Sequence, residues 1–237
     1  MLTKVNTIIV NQPHGLGDII FIQTILNKLV KDGYNVILPV VPIYENIQKH
    51  FPNIKIINKD KLKIDYFKKI DNISGEIKII PLRFSDTICK VPYKYCMKSK
   101  YMYFNMDWRI WKKDCKIVRD IQSEEKLYYD VLGLKDGEQY NLISQYYTTG
   151  NKASVKINVN NGLKNIYLST HPEFTHIDWL KVYQNATNIH AVSSSNIYLF
   201  ELFETKAKEI HLYVRKPHEV NHQNYDYILT KKYILHE

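Results

Sequence analysis

Cysteine is scarce in this sequence: Cys89, Cys96 and Cys115 are the only three in 237 residues. An odd count without Cys-x-x-Cys spacing argues against a disulfide framework and a structural zinc site, and suits reduced thiols. No apolar run approaches the roughly 20 residues that a membrane-spanning helix needs. Met1 to Val5 lead into a strand with no apolar signal segment ahead of them, so a cytoplasmic protein without stable membrane insertion is expected. Blocks of five or six like charges are missing too. The 33 Lys and Arg against 24 Asp and Glu leave a surplus of +9 spread along the whole chain. A diffuse surplus suits an anionic small ligand or an acidic surface better than a nucleic-acid groove, so no nucleic-acid partner is expected.

What is present belongs to a globular protein. Hydrophobic residues make up 45% of the chain, enough for a core, and the length allows one large domain or two small ones. The 19 Tyr accompany abundant Ile, Lys and Asn, a mixture that points to AT-rich coding. Clustered Tyr can still stack on sugars or bases through its apolar face.

The order of patterns is that of an α/β protein. Thr7 to Val10 is a β-branched apolar run, as expected of a strand buried on both faces. After a turn-rich loop, Asp18 opens a helical pattern with Ile19, Ile22, Ile25, Leu26, Leu29 and Val30 on one face, closed by Gly33. Tyr34 to Val41, Asn53 to Ile57 and Ile77 to Pro81 read as further strands, and Ile43 to His50 as a short helix. This β-α-β-α-β order is half of a doubly wound parallel sheet. The Tyr-, Met- and Trp-rich stretch Pro92 to Trp111 has little periodicity and reads as helix and loop between two halves. A helix capped by Ser123 and stopped by Gly133 comes next. A second alternation then begins. Tyr140 to Tyr146, Val155 to Val159, Asn165 to Ser169, Ile189 to Val192 and Glu209 to Val214 read as strands, with helices from Trp179 and Asn196. The two blocks divide into domains 1–135 and 136–237.

Ligands of open α/β sheets bind beyond the carboxyl ends of the strands. His14-Gly15-Leu16-Gly17-Asp18 stands there on the first strand. Its glycines can take positive φ and admit a ligand close to the backbone, and the free N–H groups of a helix start favour anionic groups. An ionised Asp18 at that place could take a proton from a hydroxyl. The bland alternative is a capping Asp after a tight turn. A phosphate-binding loop is disfavoured, because no Gly-Lys-Ser or Gly-Lys-Thr comes after the glycines, and the dinucleotide fingerprint lacks its third glycine.

The second informative segment is Ile189-His190-Ala191-Val192-Ser193-Ser194-Ser195, where three hydroxyls sit between a short strand and a helix. Hydroxyls beside exposed backbone N–H groups make a seat for a diphosphate, although any one serine could equally be a helix cap. His190 on an apolar strand is more often a hydrogen-bonded core residue than a catalyst. His171, Glu173 and His176 lie in a loop after a strand, but their spacing matches no familiar metal pattern.

Gly15-Leu16-Gly17-Asp18-Ile19-Ile20, together with the Asn46-to-Ile54 stretch NIQKHFPNI, resembles the N-terminal domain of the ADP-heptose lipopolysaccharide heptosyltransferases. The likeness covers about the first 55 residues. It implies a GT-B-like fold of two small Rossmann-like domains facing across a cleft, an acceptor domain followed by a nucleotide-sugar domain. It also implies an inverting glycosyltransferase that moves a sugar from a nucleotide-sugar donor to a glycan or lipid-glycan hydroxyl. By motif match the catalytic base falls on Asp18, with His14, Gly15 and Gly17 forming the adjacent loop. In GT-B enzymes a comparable strand–Ser/Thr–helix junction holds the donor diphosphate, which places Ser193, Ser194, Ser195 and His190 on the donor. No Asp-x-Asp occurs, so neither a metal nor another cofactor is expected, and a cation must balance the diphosphate. Arg109, Arg119, Arg215 and Lys216 are the candidates. Arg215, at a strand end, is assigned to the donor site, and the tail from Lys216 is expected to pack back across the first domain. The alternatives are a non-catalytic nucleotide- or glycan-binding module of the same fold and another nucleotide-dependent transferase, such as a polysaccharide pyruvyltransferase.

Overall fold

Short runs of Ile and Val alternate with helices, and each run becomes a strand of a mainly parallel sheet. The computed structural model describes residues 5–12, 15–62, 72–74, 76–92, 95–147, 153–215 and 228–236. Its chain divides into two units, Met1–Val118 and Arg119–Glu237.

In the first unit, strands β1 (Thr7–Val10), β2 (Asn35–Val40), β3 (Lys55–Asn58), β4 (Asn72–Ser74) and β5 (Ile77–Ile80) stand in the order β3-β2-β1-β5-β4. All neighbours are parallel except β4, which closes the edge antiparallel to β5. The helix after β1 begins two residues before Asp18. It runs as α1 (Leu16–Phe21), pauses at Ile22 and continues as α2 (Gln23–Lys31). Its apolar stripe of Ile19, Ile22, Ile25, Leu26 and Leu29 is buried, as the spacing requires. Gly33 ends it at φ 92°, a left-handed conformation that favours glycine. The stretch Pro42–His50 forms a 3₁₀ helix. Gln48 ties that helix to the next strand: its amide donates to the carbonyls of Phe51 (3.0 Å) and Ile54 (2.9 Å) and accepts from Ile56 N–H (2.6 Å).

The aromatic stretch that lacks periodicity packs on this first unit. It contains α3 (Ser85–Ile88), α4 (Cys96–Met102) and a 3₁₀ turn at Trp108–Lys112. Tyr101 donates its hydroxyl to the Phe21 carbonyl (2.7 Å), and Thr24 donates to Trp111 (2.7 Å). Phe21 also meets Tyr101 edge-on at 5.2 Å.

The second unit opens with α5 (Ile121–Glu125), which runs on as a π-helical turn over Lys126–Val131. This moves the domain boundary from 135/136 to 118/119. Leu127 and Tyr128 are buried, the Tyr128 ring meets Tyr140 at 6.4 Å, and Glu125 pairs with Lys181, so the helix belongs to the second sheet. Its cap is Asp120 rather than Ser123. The Asp120 carboxylate accepts from Ser123 N–H (3.1 Å) and from the Ser123 hydroxyl (2.7 Å).

Strands β6 (Tyr140–Ser144), β7 (Lys164–Tyr167), β8 (Asn188–Val192), β9 (Glu209–Tyr213) and β10 (Ile234–His236) are all parallel, in the order β10-β9-β8-β6-β7. Helices α6 (Leu180–Asn185) and α7 (Asn196–Leu202) precede and follow β8. The expected strand at Val155–Val159 does not form. Ile157 is buried there, but among the described residues the pairing nearby is a single antiparallel bridge between Tyr146 and Ser154. Buried Asn141 on β6 bonds Asn165 on β7 (2.8 Å) and Asn188 on β8 (3.1 Å), which fixes the register of three strands at once.

The tail also departs from expectation. Residues 216–227 lie outside the described residues, and Ile234–His236 is not a helix on the first unit but the edge strand of the second sheet. Glu201, 4% exposed, holds it there. Its carboxylate accepts from Thr230 N–H (3.0 Å) and hydroxyl (2.5 Å), Lys231 N–H (3.2 Å) and Tyr233 hydroxyl (2.7 Å). Glu201→Ala is therefore expected to destabilise the protein by about 1–3 kcal/mol, because one buried carboxylate and the four hydrogen bonds it accepts are lost together. Amide exchange would show the loss of protection concentrated in residues 230–236, with the first sheet unchanged. Among the described residues no helix is long and apolar enough to cross a membrane.

Candidate functional site

Each sheet has one place where the strand order reverses, and the candidate residues gather at the carboxyl ends of the strands there. In the first unit this place lies between β1 and β5. The backbone is tightly drawn: Asn11 N–H donates to Ile80 (2.8 Å), and Arg83 N–H donates to Asn11 (2.9 Å). Asp18 sits in the first turn of α1 with 27% of its side chain exposed. Its Oδ1 lies 3.4 Å from the Lys100 ammonium, which also donates to Gln12 Oε1 at 2.9 Å.

Gly15 is the residue before the helix, at φ −61° and ψ 161°, and Gly17 is buried inside it. Neither glycine uses positive φ, which corrects the expectation from their type. What Gly15 provides is room: a Cβ at that position would stand 3.9 Å from Asp18 Oδ2. His14 falls outside the described residues.

In the second unit the order reverses between β6 and β8. Ser193 and Ser194 are buried at the end of β8. Ser193 N–H donates to the Tyr213 carbonyl (2.8 Å), and its hydroxyl has no hydrogen-bond partner among the described residues. The hydroxyl of Ser195 makes no capping bond to the helix it precedes; Ser194 Oγ instead accepts from Asn196 N–H at 3.5 Å. Arg215 donates its Nε to the Ser193 carbonyl and lays its guanidinium over Tyr147, 5.3 Å from the ring centre. The three serines and Arg215 thus meet at one strand end. The other cation candidates are engaged elsewhere. Arg109 pairs with Asp107 on the surface, and Arg119 pairs with Glu124, whose side chain is fully buried. Lys216 lies outside the described residues.

Beside the serines runs a relay that sequence spacing did not reveal. Burial holds the His176 imidazole below its ordinary pKa, so the ring is neutral and can donate Nε2–H to Asn196 Oδ1. The Asn196 amide then donates to Ser144 Oγ (2.5 Å) at the end of β6. His171 and Glu173 point elsewhere: His171 Nδ1 accepts from Glu173 N–H, and Glu173 pairs with Lys126. Among the described residues no group of three or more His, Cys, Asp and Glu could hold a metal.

His190 faces a different neighbourhood. Its ring stacks on His211 at 4.3 Å, and its Nδ1 meets the Tyr213 hydroxyl at 3.2 Å. The cysteines carry no chemistry either. Burial raises all three thiols, Cys115 to about 12, which leaves none as a ready nucleophile.

Two Rossmann-like units in tandem, each with its candidate groups at the switch point, match known architecture. The bacterial iron-containing dodecameric glycosyltransferase TibC from enterotoxigenic E. coli H10407 superposes with a TM-score of 0.54 at 10% identity over 90% of this chain. The fold is a GT-B fold. This chain spans 58% of the length of TibC. The glycosyl transferase family 9 structure from Veillonella parvula DSM 2008 aligns at 11% identity over 91% of this chain and 83% of that one, with a TM-score of 0.43. No family model matches the sequence, and no curated protein matches it.

Sequence reasoning missed Lys100, Gln12, Asn196 and Ser144 as members of these sites, and weighed His176 only as a metal ligand. Lys100 gave no signal, since it lies in the stretch without periodicity. Asn196 could have been found as the polar residue that directly follows three serines.

Proposed function

We propose that this GT-B chain is a glycosyltransferase that moves a sugar from a nucleotide-diphosphate donor to a hydroxyl acceptor, with inversion and without a metal. The observation that carries the proposal is Asp18: a part-exposed carboxylate at the first switch point, one oxygen beside an ammonium and the other beside the open space at Gly15. In this reading Oδ2 takes the proton from the acceptor hydroxyl as its oxygen attacks the anomeric carbon. The bond from that carbon to the diphosphate oxygen breaks, and the electron pair leaves with the diphosphate. Attack from the face opposite the leaving group inverts the anomeric centre.

The diphosphate would be held by Ser193, Ser194 and Ser195, with Arg215 offsetting its charge. A cation at this strand end supports metal-free departure. Glycan or lipid-glycan acceptors suit the class, and no nucleic-acid partner is proposed.

A thermal-shift series with UDP, GDP, ADP and CMP, each with and without EDTA, tests the reading. One nucleoside diphosphate should stabilise the protein by about 2.7 kcal/mol at a hundredfold excess over Kd, a shift of several degrees that EDTA leaves in place. The matching sugar nucleotide should then be turned over. Stabilisation without turnover would identify a binding module, and no response to any nucleotide would defeat the proposal.

A further inference from the structure

Lys100 on α4 is buried, with 5% of its side chain exposed. A buried ammonium is expensive to desolvate, and apolar residues in place of a whole buried pair commonly give equal or better stability. Its surroundings explain why it stands where it does. The two flanking residues are both anchored: the Ser99 hydroxyl contacts the Ser85 hydroxyl (2.6 Å), and the Tyr101 hydroxyl donates to Phe21 (2.7 Å). Phe21 belongs to the same α1 that carries Asp18. The helix bearing the ammonium and the helix bearing the carboxylate are therefore locked together, and Nζ arrives 2.9 Å from Gln12 Oε1 and 3.4 Å from Asp18 Oδ1.

We propose that Lys100 is a positioning residue for Asp18. It holds Oδ1 so that Oδ2 is the oxygen turned to the open space at Gly15. The geometry leaves the two oxygens unequal: Oδ1 faces a fixed charge, while Oδ2 has no hydrogen bond among the described residues and only the missing Gly15 side chain beside it. A side chain free to change rotamer about Cα–Cβ would swing the carboxylate away from that space, and an error of about 1 Å in placing a reacting group can cost a hundredfold in rate. This inference rests on the transferase reading for its purpose, but not for its geometry.

Lys100→Met in the full-length protein separates the two. The apolar side chain leaves buried Gln12 Oε1 and Asp18 Oδ1 without their ammonium, so thermal stability should fall, and couplings and kinetics are read well below the melting transition. The β-proton couplings of Asp18, read by NMR on aspartate-labelled protein, should change from a single rotamer to averaged values. With a working donor, kcat should fall about 10- to 100-fold while the donor KM stays within about twofold. Exogenous ethylammonium should restore part of the lost rate to Lys100→Ala, whose shortened side chain leaves room for it.

Unchanged Asp18 couplings in Lys100→Met would overturn the proposal, as would an unchanged kcat. Averaged couplings in a protein that transfers no sugar would leave the positioning intact and remove the transferase reading instead.

Discussion

Asp18→Asn is expected to lower sugar transfer by about 10²- to 10⁴-fold, the span typical of a removed general base. The substitution keeps the shape of the side chain and removes only its ability to accept a proton. Asp18→Ala should lose as much, since in the proposed mechanism it is the carboxylate that takes the proton. Donor affinity should be unchanged in both variants, because the serines and Arg215 belong to the other unit. The expected kinetic pattern is thus a fall in kcat with a steady donor KM, as for a group that acts only in the transition state. Direct binding of the nucleoside diphosphate, measured beside the kinetics, guards against a folding defect. If both variants transferred sugar at the wild-type rate, Asp18 would not be the base, and the first switch point would lose its assigned role.

The doubly wound pattern of the first unit was legible because its cues are local. Thr7 to Val10 is β-branched and apolar, the helix after it keeps a clean three-and-four spacing, and Gly33 stops it. The same locality exposed the three serines, which come directly after β8, and Asp18, which lies in the first turn of the helix after β1. Failures arose where contacts between distant residues decide the structure. Tyr128 carries α5 into the second unit by packing on Tyr140, a choice that no helical periodicity encodes. Glu201 draws residues 230–233 to itself and seats β10 on a sheet edge, though the tail has no strand-like pattern strong enough to announce it.

The site shows the same division. Asp18 stood out because glycines mark its loop, whereas Lys100 reaches it from 82 positions away in sequence. The glycines were found for an incorrect reason. Their type suggested a left-handed turn, but the backbone at Gly15 is open to any residue, and the value of glycine there is the volume it leaves beside the carboxylate. Ser193 to Ser195 likewise owe their interest to their surroundings, a relay through Asn196 and an Arg215 that returns from β9.

His190 supplies the second large effect, on stability. Its imidazole is the buried end of a ladder: His190 stacks on His211 at 4.3 Å, His211 Nδ1 meets His236 Nε2 at 2.9 Å, and His236 stacks on Tyr213 at 4.3 Å. Burial, reinforced by the neighbouring His211 and His236 and opposed by Glu209, pushes the His190 pKa down from 6.5 to about 4. The folded ring therefore stays neutral at pH values where the unfolded chain takes up a proton. Its contribution is complete above pH 6.5 and is lost as the pH falls from 6.5 towards 4. The linkage amounts to about 2 kcal/mol by pH 5 and roughly 3 kcal/mol by pH 4. His236, whose pKa is lowered by burial, adds to the loss in the same direction. Urea unfolding at pH 7.5, 6 and 5 should trace this decline, and His190→Gln should flatten most of it by removing the titrating ring. A wild-type protein equally stable at pH 7.5 and pH 5 would show that the ring accepts its proton without leaving the stack. The second sheet would then hold its edge strand by β9 pairing and the Glu201 carboxylate alone, rather than with the help of a neutral imidazole ladder.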